Sequence, residues 1–389
     1  MPKTRTTTKS IQSPVYTPGR RIPEWSRILL FTRAGGRCEF DGCPRYLLEH
    51  HVTFAEGNFA QFAHIVAFSV VGPRGFKQRP GDIHDLTNLM LLCPTCHKLI
   101  DDNPGRFSRA TLEGYKKSHE DQIFHLAGLR PEMKTSVLVV KSKIGEQTVE
   151  IPFDHILEAI SPRYPFTKKG LTIDLTQLST KGGSFTSAAC EAIRDQIHGF
   201  LSASGEVKDS KHISLFALAP IPVLMFLGSE LSNKVPLDLF QRHRDTERWR
   251  WKNPGQAVQY AFKQIRKGTD AVKAALLLSL SGTVELARLP PEIDGTYSIY
   301  EVSPSNCAPD PTILKTRADL EAFRLTYQQA IATITRDHPG ITDLSLLSAI
   351  PAPIAILCGR ELLPRAHPAV RVYDYEKSKG YYYELTINN

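Results

Sequence analysis

The stretch Asn88–His97 decides the fold of the N-terminal part of the chain and reads Asn-Leu-Met-Leu-Leu-Cys-Pro-Thr-Cys-His. It holds the close pair Cys93 and Cys96, and 49 residues separate this pair from an earlier one, Cys38 and Cys43. Each pair spans a tight turn, so all four thiols can point at one centre, as in a tetrahedral zinc site. Such a site is structural, because four thiolates leave no position for a reacting water. Two disulfides or ordinary buried cysteines are the alternative.

A short apolar segment, Phe62-Ala63-His64-Ile65-Val66, ends 22 residues before Asn88. Its aromatic and β-branched residues predict a strand. A neutral imidazole on a strand that faces a metal ion is well placed to take a proton from water, although a histidine satisfied within the core is the plainer reading. A helix is expected to begin near His97. On it His97 and Asp101 would share a face and could hold Mg2+ or a similar divalent ion.

These residues resemble the HNH nucleases of the ββα-metal fold over about residues 25–125. The resemblance rests on the order His64, Asn88, His97, on the run Asn-Leu-x-Leu-Leu-Cys-x-x-Cys-His, and on the tail Lys98–Asp102. It implies phosphodiester hydrolysis, in which His64 is the general base that activates water. It also implies that Asn88 braces the loop that carries His64, and that His97 is a metal ligand.

One residue departs from the family pattern. Many members carry Asp or His just before the general base as a second metal ligand, and this chain has Ala63 there. Asp101 is the first candidate for the missing ligand. Three further candidates are Gln61, His51 and Asp85.

The composition fits a globular protein of two or three domains with a polyanionic partner. The chain has 389 residues, 41% of them hydrophobic, and a formal net charge of +8. No apolar stretch approaches the roughly twenty residues that span a bilayer, and no secretory signal is recognised. Three cysteines outside the pairs are scattered singly, which fits a reducing cytosol, so a cytoplasmic protein without a membrane partner is expected.

The chain is predicted to consist of four segments. Residues 1–22 are predicted to be a disordered basic arm. It is either a solvated tail or a segment that follows DNA phosphates. Residues 23–128 form an α+β, zinc-stabilised nuclease domain, residues 129–135 a linker, and residues 136–389 an α/β domain.

Local patterns within the nuclease domain give further predictions. A helix is expected over 23–34, two β-like segments over 45–71, a loop over 72–86 and a helix over 111–126. Three basic residues of that loop, Arg74, Lys77 and Arg79, would reach DNA phosphates.

The C-terminal half contains an internal repeat. Ser214–Leu231 matches Ser345–Leu362 at an offset of 131, and both contain a strand that ends in Pro, a helix and a Gly-x-Glu-Leu motif. The repeat predicts two tandem Rossmann-like units, about 136–270 and 271–389. A helix that begins at the carboxyl end of a parallel strand binds anions. Two such units would make one pocket, suited to a ligand with two phosphates and two bases.

Over roughly residues 135–389 the chain resembles the SAVED domain, a fusion of two CARF-like units that senses cyclic oligonucleotides. The resemblance rests on the doubled motif, on Arg248-Trp249-Arg250-Trp251 and on Tyr373-Asp374-Tyr375. An HNH nuclease joined to SAVED resembles the nuclease effector of bacterial CBASS antiphage systems. This implies an endonuclease for double-stranded DNA that a cyclic oligonucleotide, expected to be a cyclic dinucleotide, switches on. It also implies a homo-oligomer: a dimer, or a tetramer on activation.

Aromatic and basic residues after the two repeats are candidates for the nucleotide pocket. The aromatic ones, which would stack on bases, are Trp249, Trp251, Tyr373 and Tyr375. The basic ones, which would pair with phosphates, are Arg242, Arg244, Arg248 and Lys377. Buried tryptophans and a solvated charged face are the alternative. Two rival functions also remain: a restriction-type nuclease whose C-terminal half reads modified DNA, and a non-catalytic zinc module that binds DNA.

Overall fold

The computed structural model describes residues 21–388, except 44, 76–78, 145–146, 149, 179–183, 234 and 254. The predicted arm therefore lies outside the described residues up to residue 20, and so does Lys77. The chain divides into two compact units, one ending at Leu129 and the other beginning at Arg130. Within the described part of the chain, no helix is long and apolar enough to span a membrane.

The N-terminal unit contains two strands and three helices. They are α1 (Glu24–Ala34), β1 (Gln61–His64), β2 (Leu89–Leu92), α2 (Pro94–Asp102) and α3 (Arg109–Ala127). Pro23 precedes α1 with φ −53°, and Gly35 ends it in the left-handed conformation at φ +59°. Of the two β-like segments predicted over 45–71, one becomes a strand. The other contributes isolated bridges at Tyr46 and Glu49 among the described residues.

The hairpin of β1 and β2 lies at the centre of this unit. The strands are antiparallel, with His64 opposite Leu89 and Ala63 opposite Met90. All four residues of β2 are fully buried and pack with Leu30 of α1 and Ile100 of α2. Burying this much apolar surface favours the hairpin by several kcal/mol (about 25 cal/mol per Å²). The strands thereby hold the end of β1 beside the start of α2.

The first sheet of the C-terminal unit is parallel. Its strands are β3 (Lys134–Lys141), β6 (Tyr164–Pro165), β7 (Leu171–Asp174), β8 (Ile213–Leu218) and β9 (Leu237–Phe240), and β4 (Lys143–Ile144) and β5 (Gln147–Thr148) form a separate small hairpin. The order is β7-β3-β8-β9, with β6 on β3 beside β7. The helices of this half are α4 (Phe153–Ile160), α5 (Ser184–Leu201), α6 (Val207–Ser210) and α7 (Ile221–Leu231).

The second sheet has a parallel centre and antiparallel edges. Its strands are β10 (Tyr260–Arg266), β11 (Ala274–Ser279), β12 (Ser298–Pro304), β13 (Asp343–Ala349), β14 (Ala369–Glu376) and β15 (Gly380–Ile387), and its helices are α8 (Arg317–Asp337) and α9 (Ala352–Arg360). The central order β12-β11-β13-β14 repeats the order β7-β3-β8-β9 of the first sheet.

Two predicted boundaries are displaced. Strand β10 falls within the predicted first repeat, 136–270, but it pairs with β12 in the second sheet. Strand β3 begins at Lys134, inside the predicted linker. Both errors have the same cause: an edge strand and a strand start carry little local signal, and only pairing with distant residues fixes them.

The repeated glycines lie where α7 and α9 pack closely together. A Cβ on Gly228 would lie 2.0 Å from the carbonyl oxygen of Ile356, and a Cβ on Gly359 would lie 1.9 Å from that of Met225. Both contacts are related by the 131-residue offset of the repeat. The two helices therefore approach each other symmetrically, and only glycine allows that approach.

Candidate functional site

The four paired cysteines converge in the N-terminal unit. Their sulfur atoms all lie within 4.8 Å of one another. A Zn2+ ion with bonds of about 2.3 Å would place tetrahedral sulfurs about 3.8 Å apart, so the set fits this metal. The backbone N–H groups of Cys93 and Cys96 point at the sulfurs of Cys38 (3.3 Å) and Cys93 (3.4 Å). Such donors favour thiolates over thiols.

Burial opposes ionisation of two of these thiols, Cys38 and Cys96. It raises the pKa of Cys38 to about 12, and it raises that of Cys96 as well. A divalent cation at the centre would supply the missing counter-charge. The cluster also sets the start of α2, since Cys93 caps the helix and Pro94 begins it. The helix therefore begins at Pro94, three residues before His97, whereas the sequence predicts a start near His97.

Asn88 holds the segment that follows His64. Its side chain accepts a hydrogen bond from the N–H of Val66 (2.8 Å), and it donates to the carbonyl oxygens of Val66 (3.1 Å) and Ile83 (3.0 Å). Asn88 is 3% exposed, so these bonds satisfy a buried amide. This is the bracing contact that the family resemblance implies.

His64 is neutral at physiological pH. Burial is the main cause that lowers its pKa to about 4, and the charges of His84, His97 and Arg79 lower it further. A neutral imidazole keeps one unprotonated nitrogen, which a proton acceptor needs. Ala63, the residue before it, is 1% exposed and packs in the core, and its methyl group offers no metal ligand.

Two of the four candidates for the second metal ligand, Asp101 and Gln61, contact the ring of His97. Its Nε2 is 3.3 Å from Oδ2 of Asp101, and its Nδ1 is 2.5 Å from Oε1 of Gln61. Asp85 instead accepts a hydrogen bond from the N–H of Thr87 at the start of a 3-10 turn. His51 is exposed, and its ring lies against that of His50 at 4.9 Å.

Arg74 is a structural residue, and the prediction that it reaches phosphates is wrong. Its guanidinium donates to the carbonyl oxygens of Ile65 (2.6 Å) and Ile100 (3.1 Å), and it pairs with Asp101 at 3.2 Å. Its side chain is 7% exposed. Arg74 therefore connects the end of β1 to α2. Arg79 likewise donates to backbone carbonyl groups of residues 67 and 68.

His84 is a site residue that the sequence patterns did not indicate. It is 5% exposed, and its Nδ1 lies 3.2 Å from Nε2 of His64. Its ring stacks on Phe68 with a centroid distance of 5.8 Å. No periodic pattern marks it, because it lies in a loop whose position depends on Asn88.

Two aromatic candidates for the nucleotide pocket lie in the core. Trp249 is 2% exposed and packs edge-on against Phe216, and Tyr373 is 1% exposed within the core. Neither can stack on a base. Trp251 is half-buried, and its indole N–H donates to the carbonyl of Leu239 at 3.2 Å. These aromatic residues fill the apolar interior instead.

The basic candidates lie at the surface. Arg242 pairs with Glu247 (2.9 Å) and Arg248 with Glu158 (3.1 Å), while Arg244 is exposed. All three follow β9 at its carboxyl end.

Tyr375 and Lys377 occupy the equivalent end of β14 in the second sheet. Tyr375 is 40% exposed, and its hydroxyl accepts a hydrogen bond from Arg288; Lys377 is exposed. The carboxyl ends of both sheets also hold the starts of α7 and α9, where Pro220 and Pro351 make no side-chain cap. Helix starts of this kind have N–H groups to offer an anion.

Comparisons with known proteins match each of the two units to a domain family. The model of the HNH endonuclease family matches residues 38–103, so the N-terminal unit contains an HNH endonuclease domain. The model described as the SMODS-associated and fused to various effectors sensor domain (SAVED) matches residues 193–387, half of the chain. The chain belongs to the SAVED family. No curated protein matches it.

Similar solved structures are SAVED/CARF-domain containing receptors. The Acinetobacter baumannii Cap4 receptor with the cyclic trinucleotide 3'3'3'-cAAA is 13% identical, with a TM-score of 0.44 over 79% of this chain and 65% of that chain. The same receptor with 2'3'3'-cAAA is 14% identical, with a TM-score of 0.42 over 79% of this chain and 64% of that chain. The Moraxella osloensis Cap4 receptor is 13% identical, with a TM-score of 0.37 over 74% of this chain and 60% of that chain. The chain thus spans less than two thirds of these receptors' length.

Proposed function

We propose that the protein is a metal-dependent endonuclease for double-stranded DNA, switched on when a cyclic oligonucleotide binds its C-terminal unit in antiphage defence. The observation that carries the nuclease half is the arrangement of His64 at the end of β1, Asn88 just before β2 and His97 on α2, with the four cysteines at the start of α2 and nearby. The SAVED match supports the sensor half.

In the hydrolysis step, His64 takes a proton from the attacking water. It can do so because its pKa of about 4 leaves it unprotonated at neutral pH. Asn88 keeps His64 in place through its bonds to Val66 and Ile83.

The catalytic ion is proposed to bind at His97 with Asp101 or Gln61. The imidazole of His97 lies 3.3 Å from the carboxylate of Asp101 and 2.5 Å from the amide oxygen of Gln61. Imidazole, carboxylate and amide donors suit Mg2+ or Mn2+. When bound, the ion would stabilise charge on the phosphate and the leaving oxygen. A structural Zn2+ is proposed at Cys38, Cys43, Cys93 and Cys96, where the sulfurs fit a tetrahedral ion.

The sensor half is proposed to be two CARF-like units with one ligand pocket. The identical order of four strands in the two sheets supports the duplication, and the uncapped starts of α7 and α9 support phosphate binding. The candidates at these ends that are exposed or half-buried are Arg242, Arg244, Arg248, Tyr375 and Lys377. Binding is proposed to change the arrangement of subunits, because a ligand acts only through a difference in affinity between two states.

Two measurements test the halves separately. Binding of 3'3'3'-cAAA, 2'3'3'-cAAA and a panel of cyclic dinucleotides to the full chain tests the sensor, with subunit state read by light scattering. Cleavage of plasmid DNA in Mg2+ or Mn2+ by the wild type and His64→Ala tests the nuclease. Binding of none of the compounds would contradict the sensor half, and full cleavage by His64→Ala would contradict the nuclease half.

A further inference from the structure

We propose that His84 is the positioning residue of the general base: its Nδ1 accepts the Nε2 proton of His64 and thereby leaves Nδ1 of His64 unprotonated to receive a proton from water. The inference rests on the proposed role of His64. It names a residue that neither the sequence patterns nor the family resemblance indicated.

The argument starts from the contact between the two rings. Nε2 of His64 and Nδ1 of His84 are 3.2 Å apart, with ring centroids at 5.3 Å. Between two neutral imidazoles this contact holds a single proton. If His84 donated it, His64 would carry its own proton on Nδ1, and its remaining lone pair would be engaged. Only the opposite arrangement leaves His64 a lone pair for water.

His84 is held in place as firmly as His64. The amide of Asn88 bonds to the carbonyl of Ile83, just before His84, as well as to Val66, just after His64. The N–H of His84 donates to Oδ1 of Asp82 at 2.9 Å. One buried amide thus fixes both segments that carry the histidines. This fixed position distinguishes an orienting partner from a chance neighbour.

The charges around His64 make such an acceptor useful. Burial and the neighbouring groups His84, His97 and Arg79 all oppose an added proton on His64. A neutral His84 that accepts a hydrogen bond would stabilise the transient imidazolium, as the third member of a catalytic triad does. A second positive charge at the same place would destabilise it.

Two variants of the full chain separate this role from packing. His84→Phe keeps a ring that can stack on Phe68 but removes the acceptor, whereas His84→Asn offers an oxygen near the former Nδ1. The first readout needs no activating ligand: ring-nitrogen NMR of histidine-labelled protein, with the signal of His64 assigned from His64→Ala. The second is plasmid cleavage by each variant in Mg2+ under the conditions in which the wild type cuts.

The expected wild-type spectrum shows His64 protonated at Nε2 at pH 7. In His84→Phe this preference is lost and kcat falls about 10- to 100-fold with little change in KM, while His84→Asn recovers most of the rate. The pH profile of kcat shifts in His84→Phe but not in His84→Asn. The double variant with His64→Ala is no slower than His64→Ala alone.

Three results would overturn the inference: His84→Phe with the wild-type rate and tautomer, a wild-type His64 protonated at Nδ1, or both His84 variants equally slow with a lowered melting temperature. The last would mean that His84 only packs. Undiminished cleavage by His64→Ala would instead refute the proposed general base, a failure that the tautomer measurement distinguishes from the others.

Discussion

The substitution Gly359→Ala would place a methyl carbon 1.9 Å from the carbonyl oxygen of Met225, where ordinary contact begins at 3.4 Å. Helices α7 and α9 would have to separate by about 1.5 Å at this point, and the backbone carbonyl cannot rotate out of the way. Overpacking costs up to about 3 kcal/mol, and the better helix propensity of alanine returns about 1 kcal/mol. The C-terminal unit should therefore lose about 2 kcal/mol, which lowers its melting temperature by about 4–8 °C.

Differential scanning calorimetry of the full chain measures this shift. Gly199→Ala is the matched control, because this glycine also lies in a helix but a Cβ there would meet nothing within 4 Å; its melting temperature should stay level or rise. Combining Gly359→Ala with Gly228→Ala should cost less than the sum, since one separation relieves both contacts. Wild-type melting of Gly359→Ala would refute the close crossing of the two helices.

Three further predictions concern the N-terminal unit. Burial raises the pKa of Glu39 from 4.5 to about 7, so the folded state keeps a proton that the unfolded state releases, and this group costs up to about 3 kcal/mol as pH rises from 4.5 to 7. Glu39→Gln should then gain stability over the wild type as pH rises through that window in denaturant titrations; a pH-independent difference would contradict this. Arg74→Lys cannot bridge Ile65 and Asp101, so cleavage should fall about 10- to 100-fold with normal metal content; an unchanged rate would exclude the bridge as a positioning contact. Cys96→Ser should lose zinc by atomic absorption, and retention of a full equivalent would show that the thiols do not bind it.

The nuclease motif was predictable from sequence because its residues are close along the chain. Cys93, Cys96, His97 and Asp101 lie within nine positions, and helical spacing alone puts His97 beside Asp101, as the structure confirms. The role of Arg74 was not predictable. Only the folded chain shows that its guanidinium is buried between β1 and α2 rather than free to meet phosphate.

Pocket residues of the C-terminal unit were harder to predict for a different reason. An aromatic residue after a strand stacks on a ligand or fills the core equally well, and only burial decides between these roles. For Trp249 and Tyr373 burial decides for the core. The repeat itself was predictable from the sequence. Its glycines, Gly228 and Gly359, lie at a close contact between the backbones of α7 and α9, which any substitution would disrupt.

Plasmid cleavage by the full chain in Mg2+, with and without each compound of the cyclic oligonucleotide panel and with His64→Ala as the control, tests the account most directly. The account predicts cleavage that appears with one ligand and is absent in His64→Ala. Equal cleavage without any ligand would contradict the switch and favour a restriction-type nuclease. Cleavage that persists in His64→Ala would contradict the assignment of the general base.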